Sequence, residues 1–180
     1  MIEMKFIYTL VLLLAFSTVY SQAYKGKGDT KFQVGANFQE NGTGIVSSLD
    51  YGIGENISIG VQGLYLLGVE EFSTLVPVDF LEDAEFGDRF DIRIRFNANL
   101  GNVIDINENF DLYPGLDLGL KNFGGHLGAR YFFSEGFGLF AELNIPLANY
   151  TADEDFEIVE FPRQQLNNQF NVSFGASFQL

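Results

Sequence analysis

From Phe32 to Leu180, apolar side chains fall on alternate positions in segment after segment, the two-residue period of a β-strand with unlike faces. The fourth segment is the clearest. Phe90, Ile92, Ile94, Phe96, Ala98 and Leu100 alternate with Arg89, Asp91, Arg93, Arg95, Asn97 and Asn99. Seven further runs repeat the pattern, beginning near Phe32, Ile45, Ile57, Phe110, Leu127, Phe137 and Phe170. Gly- and Asn-rich turns such as Asn41-Gly42-Thr43-Gly44 separate neighbouring runs. Outside the first residues no segment has a helical period of useful length. Eight adjacent strands predict an antiparallel up-and-down meander, and an even number with no leftover edge predicts closure into a barrel.

Two features predict which face turns inward. The polar set is rich in glycine, including Gly35, Gly52, Gly60, Gly115, Gly119, Gly128, Gly138 and Gly175. Glycine weakens a water-facing strand, whereas a narrow eight-stranded interior has to be filled by small groups around a few paired charges. Aromatic residues of the apolar set also collect near the ends of the runs. Phe32, Tyr51, Phe110, Phe133, Phe137 and Phe178 would form one rim, and Phe38, Tyr65, Phe90 and Phe170 the other. Two aromatic girdles around an aliphatic band are the outer surface of a transmembrane barrel, all-β, with the polar face inside. A soluble barrel would reverse the faces.

Residues 1–21 predict a cleavable secretory signal: Lys5, an apolar run from Phe6 to Phe16, then Val19 and Ser21 before the cut. A cut after Ala23 is the alternative. Residues 22–30 would form a periplasmic leader, and residues 31–180 the barrel. With the N-terminus inside, the two longest connections, 69–88 and 148–166, face the exterior, while 54–56, 101–109 and 134–136 face the periplasm.

Composition narrows the chemistry. The chain has 180 residues, no cysteine and a net charge of −14. Disulfides, thiolate metal sites and cysteine nucleophiles are therefore excluded, and the acidity argues against nucleic acid as a partner. His126 is the only histidine, so a multi-histidine metal site is excluded too. Half of the 24 acidic residues lie in the two long connections. Within the second, Asp153, Glu154 and Asp155 are weak candidates for Ca²⁺, since hard cations take carboxylate ligands. A solvated acidic rim is the simpler reading. No cofactor is implied.

The last run, with apolar Phe170, Val172, Phe174, Ala176, Phe178 and Leu180, counts back by twos from the carboxyl terminus. In this, and in its overall pattern, the chain resembles the small eight-stranded outer-membrane β-barrel proteins of Gram-negative bacteria, the OmpX/OmpW-like superfamily, in a Bacteroidetes form. The likeness covers essentially the whole mature chain. It implies location in the outer membrane, contact with outer-membrane lipid, and reading of the final strand by the barrel-assembly machinery. The family usually ends in Phe, and this chain ends in Leu180.

Candidate site residues follow from the inward face. Asp50, Arg89, Asp91, Arg93, Arg95, Asp117, Lys121, Arg130 and Glu142 are expected to form a lumenal charge network with His126 nearby. Arg93 and Arg95 would face Asp117 on the next strand, and Arg130 would lie near Glu142. Buried charge must be paired, so the network would close the pore. Leu64, Leu66, Phe132 and Phe140 interrupt the polar face and are the candidate contacts for an apolar ligand. Three functions compete: a non-catalytic outer-membrane barrel acting through its acidic outer loops, a barrel binding or passing small hydrophobic molecules, and a secreted soluble lipophile carrier.

Overall fold

In a computed structural model, which describes residues 22–40, 42–69, 84–150 and 166–180, the alternating runs are strands of one closed sheet. They are β1 (Thr30–Gln39), β2 (Gly42–Gly52), β3 (Ile57–Val69), β4 (Phe90–Ala98), β5 (Phe110–Gly119), β6 (Asn122–Ser134), β7 (Phe137–Asn149) and β8 (Asn171–Gln179). Each pairs antiparallel with its chain neighbours. Closure comes from β1 against β8, in register from Lys31↔Gln179 to Gln39↔Asn171. No strand edge remains open in such a ring. Two one-turn helices complete the described elements, α1 (Phe86–Arg89) before β4 and α2 (Gly101–Ile104) before β5. No helix among the described residues is long and apolar enough to cross a membrane; a barrel crosses with strands.

The two faces are inverted relative to a protein folded in water. On β4, Ile94 is 57% exposed and its neighbour Arg95 is fully buried. Asp50, Asp91, Asn97, Asp117, Arg130 and Glu142 are likewise buried, while Ile59, Leu118, Leu139 and Ile145 face outward. A soluble monomer exposes apolar patches of at most a few hundred Å². Here the apolar face is continuous around the ring. Strands of nine to thirteen residues match the tilted span of a bilayer core.

Aromatic side chains mark two heights. At the end where the chain enters the barrel, Phe32 lies 6.2 Å from Phe178, Phe178 lies 5.7 Å from Phe137, and Phe137 lies 6.4 Å from Phe133. Towards the opposite end, Phe86 stacks on Phe90 at 5.4 Å and meets Tyr65 in a tilted contact at 5.5 Å. The inward glycines permit tight curvature. A methyl group on Gly35 or on its partner Gly175 would overlap the backbone of the facing strand.

One ladder is short. β4 and β5 are in register only from Arg93↔Gly119 to Asn97↔Gly115. Pro114, which has no amide proton to donate, follows at the point where that ladder stops. Beyond it the Leu100 amide donates to the Leu112 carbonyl at 2.8 Å, and the chain leaves the sheet into α2.

Candidate functional site

The lumen holds the chemistry. Strand alternation turns Arg95 of β4, Glu142 of β7 and Asp50 of β2 into the same narrow interior. The Arg95 guanidinium spans it, with Nη2 2.6 Å from Glu142 Oε2 and Nε 3.3 Å from Asp50 Oδ1. Gln62 Nε2 donates to Glu142 Oε1 at 2.9 Å. Beside this girdle the Tyr113 ring is fully buried between two cations, 5.8 Å from the Arg95 guanidinium and 4.7 Å from that of Arg130. The Tyr113 hydroxyl accepts a hydrogen bond from Gln33, which accepts one from Ser48. Removing one member of a buried pair costs about 3–5 kcal/mol, because the survivor is left charged and unpaired.

The expected charges do gather here, but several choose other partners. Arg95 reaches across the lumen to Glu142, a span its long side chain permits. Asp117, its backbone partner on β5, pairs with His126 Nδ1 at 2.9 Å. Arg93 pairs with Asp91 on its own strand at 2.6 Å. Arg130 binds Asp111 through Nη2 at 2.7 Å and donates to Asn99, with Glu142 already taken by Arg95. Arg89 stands outside the network: it belongs to α1 at the rim, and its guanidinium donates to the Ala84 and Leu67 carbonyls. Lys121 also sits at the rim, donating to the carbonyls of Asp88 and Leu166. Asp111 was visible in the alternation of β5. Lys31 lies on the polar alternation of β1 in the same way and Tyr113 shares the face of Asp111, while Asp29 precedes β1.

His126 is buried beside Gly115, and its Nε2 has no hydrogen-bond partner among the described residues. The four apolar candidates separate. Leu64 and Phe140 cluster with Val46. Leu66 is fully buried nearer the outer end of β3, and Phe132 lies under the Lys31 ammonium, 4.8 Å away. All four side chains are buried, and among the described residues only Leu64 and Phe140 share one cluster. Asp153, Glu154 and Asp155 lie outside the described residues.

Both mouths of the lumen are occupied by the chain itself. At the entry end, Tyr24 is almost fully buried, and its hydroxyl donates to the carbonyls of Ile57 at 2.7 Å and Gly54 at 3.1 Å. Burial, with Asp29 adding repulsion, pushes the Tyr24 phenol up to about 12. The Ala23 amide donates to the Glu108 carbonyl at 2.7 Å, and Asp29 pairs with Lys31 inside β1 at 3.0 Å. At the other end, Leu166 and Asn167 are fully buried. The Asn167 carbonyl accepts from Arg93 at 2.9 Å and from Asn122 at 3.1 Å. Asn167 adopts a left-handed φ of 62°, which asparagine tolerates better than most residues.

The sequence profile of DUF6646, described as a family of unknown function, matches residues 14–180. The chain belongs to this family. No curated protein matches it. Among solved structures, this DUF6646 chain is similar to a barrel from work on de novo design of transmembrane β-barrels, with a TM-score of 0.54, 11% identity and coverage of 87% of this chain and 98% of that one. It is also similar to the N-terminal β-barrel domain of Pseudomonas aeruginosa OprF (TM-score 0.49, 10% identity, 87% and 100% coverage). A third is Ail, the attachment invasion locus protein of Yersinia pestis, solved with the heparin analogue sucrose octasulfate (TM-score 0.39, 10% identity, 87% and 100% coverage). At 11% identity the likeness to the designed transmembrane barrel is one of fold.

Proposed function

We propose that this DUF6646 chain is an integral outer-membrane barrel without catalytic activity, whose role lies in membrane structure and in surface interaction through its two acidic outer loops. The observation that carries this reading is the ion pair that crosses the lumen from Arg95 to Glu142. A cross-lumen ion pair at mid-height, a leader in one mouth and Leu166-Asn167 in the other leave the interior as a strut. Work at the membrane then falls to the surfaces: the apolar belt toward lipid, and the connections 69–88 and 148–166 toward the exterior. Assembly would use β8, whose Val172, Phe174, Ala176 and Phe178 lie on the face turned away from buried Ser173 and Ser177, flanked by Phe170 and Leu180.

The passage of small hydrophobic molecules would need an apolar wall, and Leu64, Leu66, Phe132 and Phe140 are each buried by the protein itself. A soluble lipophile carrier would need the faces reversed. Planar-bilayer recording combined with loop deletion tests the proposal. Purified protein should give no stable conductance, and removing residues 72–83 and 152–163 should leave a folded barrel while abolishing surface attachment of the cells that display it. A discrete conductance blocked by a small hydrophobic molecule, or attachment unchanged by the deletions, would overturn it.

A further inference from the structure

The connection between β4 and β5 has two unlike sides. Its polar side faces the leader: Asn102 Nδ2 donates to the Tyr24 carbonyl at 3.2 Å, Gln22 Nε2 donates to Asn102 Oδ1 at 3.1 Å, and the Glu108 carbonyl accepts from Ala23. Gln22, Asn102, Asp105, Asn107 and Glu108 line a polar cavity of about 560 Å³ there. The aliphatic residues of the same loop remain uncovered, with Val103 62%, Ile104 43% and Ile106 68% exposed.

This is not a slack loop. The one-turn α2 closes through the Asp105 amide to the Gly101 carbonyl, with Asp105 in a left-handed conformation at φ 50°. The Gly101 amide is fixed to Asp111 Oδ1 at 2.8 Å, and the Asn109 amide to Asn107 Oδ1 at 2.8 Å. Three aliphatic side chains are therefore held in the open by an ordered backbone. The loop emerges where the β4–β5 ladder has already stopped, beside Phe110. Phe110 is the register partner of Tyr131 and thus adjoins the entry-end aromatic belt. The exposed aliphatic residues of the loop thus lie at the same end of the barrel as that belt.

We infer that Val103, Ile104 and Ile106 form an interfacial anchor that rests in the periplasmic leaflet of the membrane, lipid being the occupant of this patch. The inference rests on the membrane reading above. An amphipathic segment lying in the plane of a bilayer buries its apolar side at the boundary between headgroups and acyl chains. The loop's polar side would simultaneously keep the leader in the barrel mouth, so that lipid contact and closure of the lumen share one element.

The chain contains no tryptophan, so a single introduced indole reports alone. Ile106→Trp is compared in vesicles of phosphatidylethanolamine and phosphatidylglycerol, with and without brominated acyl chains. Leu118→Trp, on the apolar belt, and Lys27→Trp, in the leader, serve as references. The expected result is a blue-shifted Ile106→Trp emission, quenched by bromine to the extent seen for Leu118→Trp and shielded from aqueous iodide. Quenching by iodide alone, as for Lys27→Trp, would overturn the inference, and so would shielding from both quenchers, which would mean that protein covers the patch. Loss of bromine quenching at Leu118→Trp would instead overturn the membrane reading itself. Val103→Trp repeats the test if Ile106→Trp does not fold.

Discussion

Tyr113 and Gly128 show how single residues set the interior. The phenol ring fills the lumen between Arg95 and Arg130 because β6 presents only a hydrogen atom opposite it, and a methyl group on Gly128 would overlap the ring. The ring cannot yield without disturbing two buried cations. Gly128→Ala should therefore destabilise the barrel by about 1–3 kcal/mol. Among the described residues a methyl group on Gly63 of β3 would meet nothing within 4 Å, so Gly63→Ala should be neutral or stabilising by up to about 1 kcal/mol. Urea unfolding in detergent micelles measures both, and a Gly128→Ala midpoint at or above the parent's would contradict the packing described. Which positions are glycine because the lumen is crowded was legible in the alternation; what each one faces was not. The alternation fixes a face, whereas Gly128 against Tyr113 depends on register and on the rotamer of a long side chain. Arg95 makes the same point: its neighbour across the ladder is Asp117, yet its ion pair lies on β7.

At the scale of elements, the strands were the most readable part, because a period of two carried through eight segments has few alternative folds; the turn composition of Asn41-Gly42-Thr43-Gly44 misleads, since β2 already begins at Gly42. The leader and the β4–β5 connection were not readable in this way. Residues 22–30 look like a polar tether, and only the docked position of Tyr24 makes them a closure. Asn102 and Ile106 alternate too briefly to predict a loop with two unlike sides. The docked leader carries a pH signature. Its neutral phenol is the form that donates to Gly54 and Ile57, and its folded value is raised from 10.0 to about 12. The contribution of Tyr24 to docking is therefore complete below pH 10, and is lost as pH rises through about 12. A near-ultraviolet difference titration of the parent against Tyr24→Phe should place this phenol's ionisation near the upper value. Ionisation at the ordinary tyrosine value would show that the leader does not sit in the mouth.

For the whole molecule, the decisive property is the inversion of its faces: ion pairs and amides inside, a continuous apolar belt outside, aromatic side chains at both rims. That arrangement is stable only where lipid replaces water around the ring, since burying apolar surface is the main favourable term in either setting and here the surface faces outward. The net charge of −14 is compatible with it because most of the acids lie in lumenal pairs or in the two long connections. Membrane fractionation with heat-modifiable migration on a denaturing gel tests this most directly. The account predicts recovery in the outer-membrane fraction, resistant to alkaline carbonate, with an unheated band that migrates differently from the boiled one. Recovery in the soluble periplasmic or extracellular fraction would contradict it.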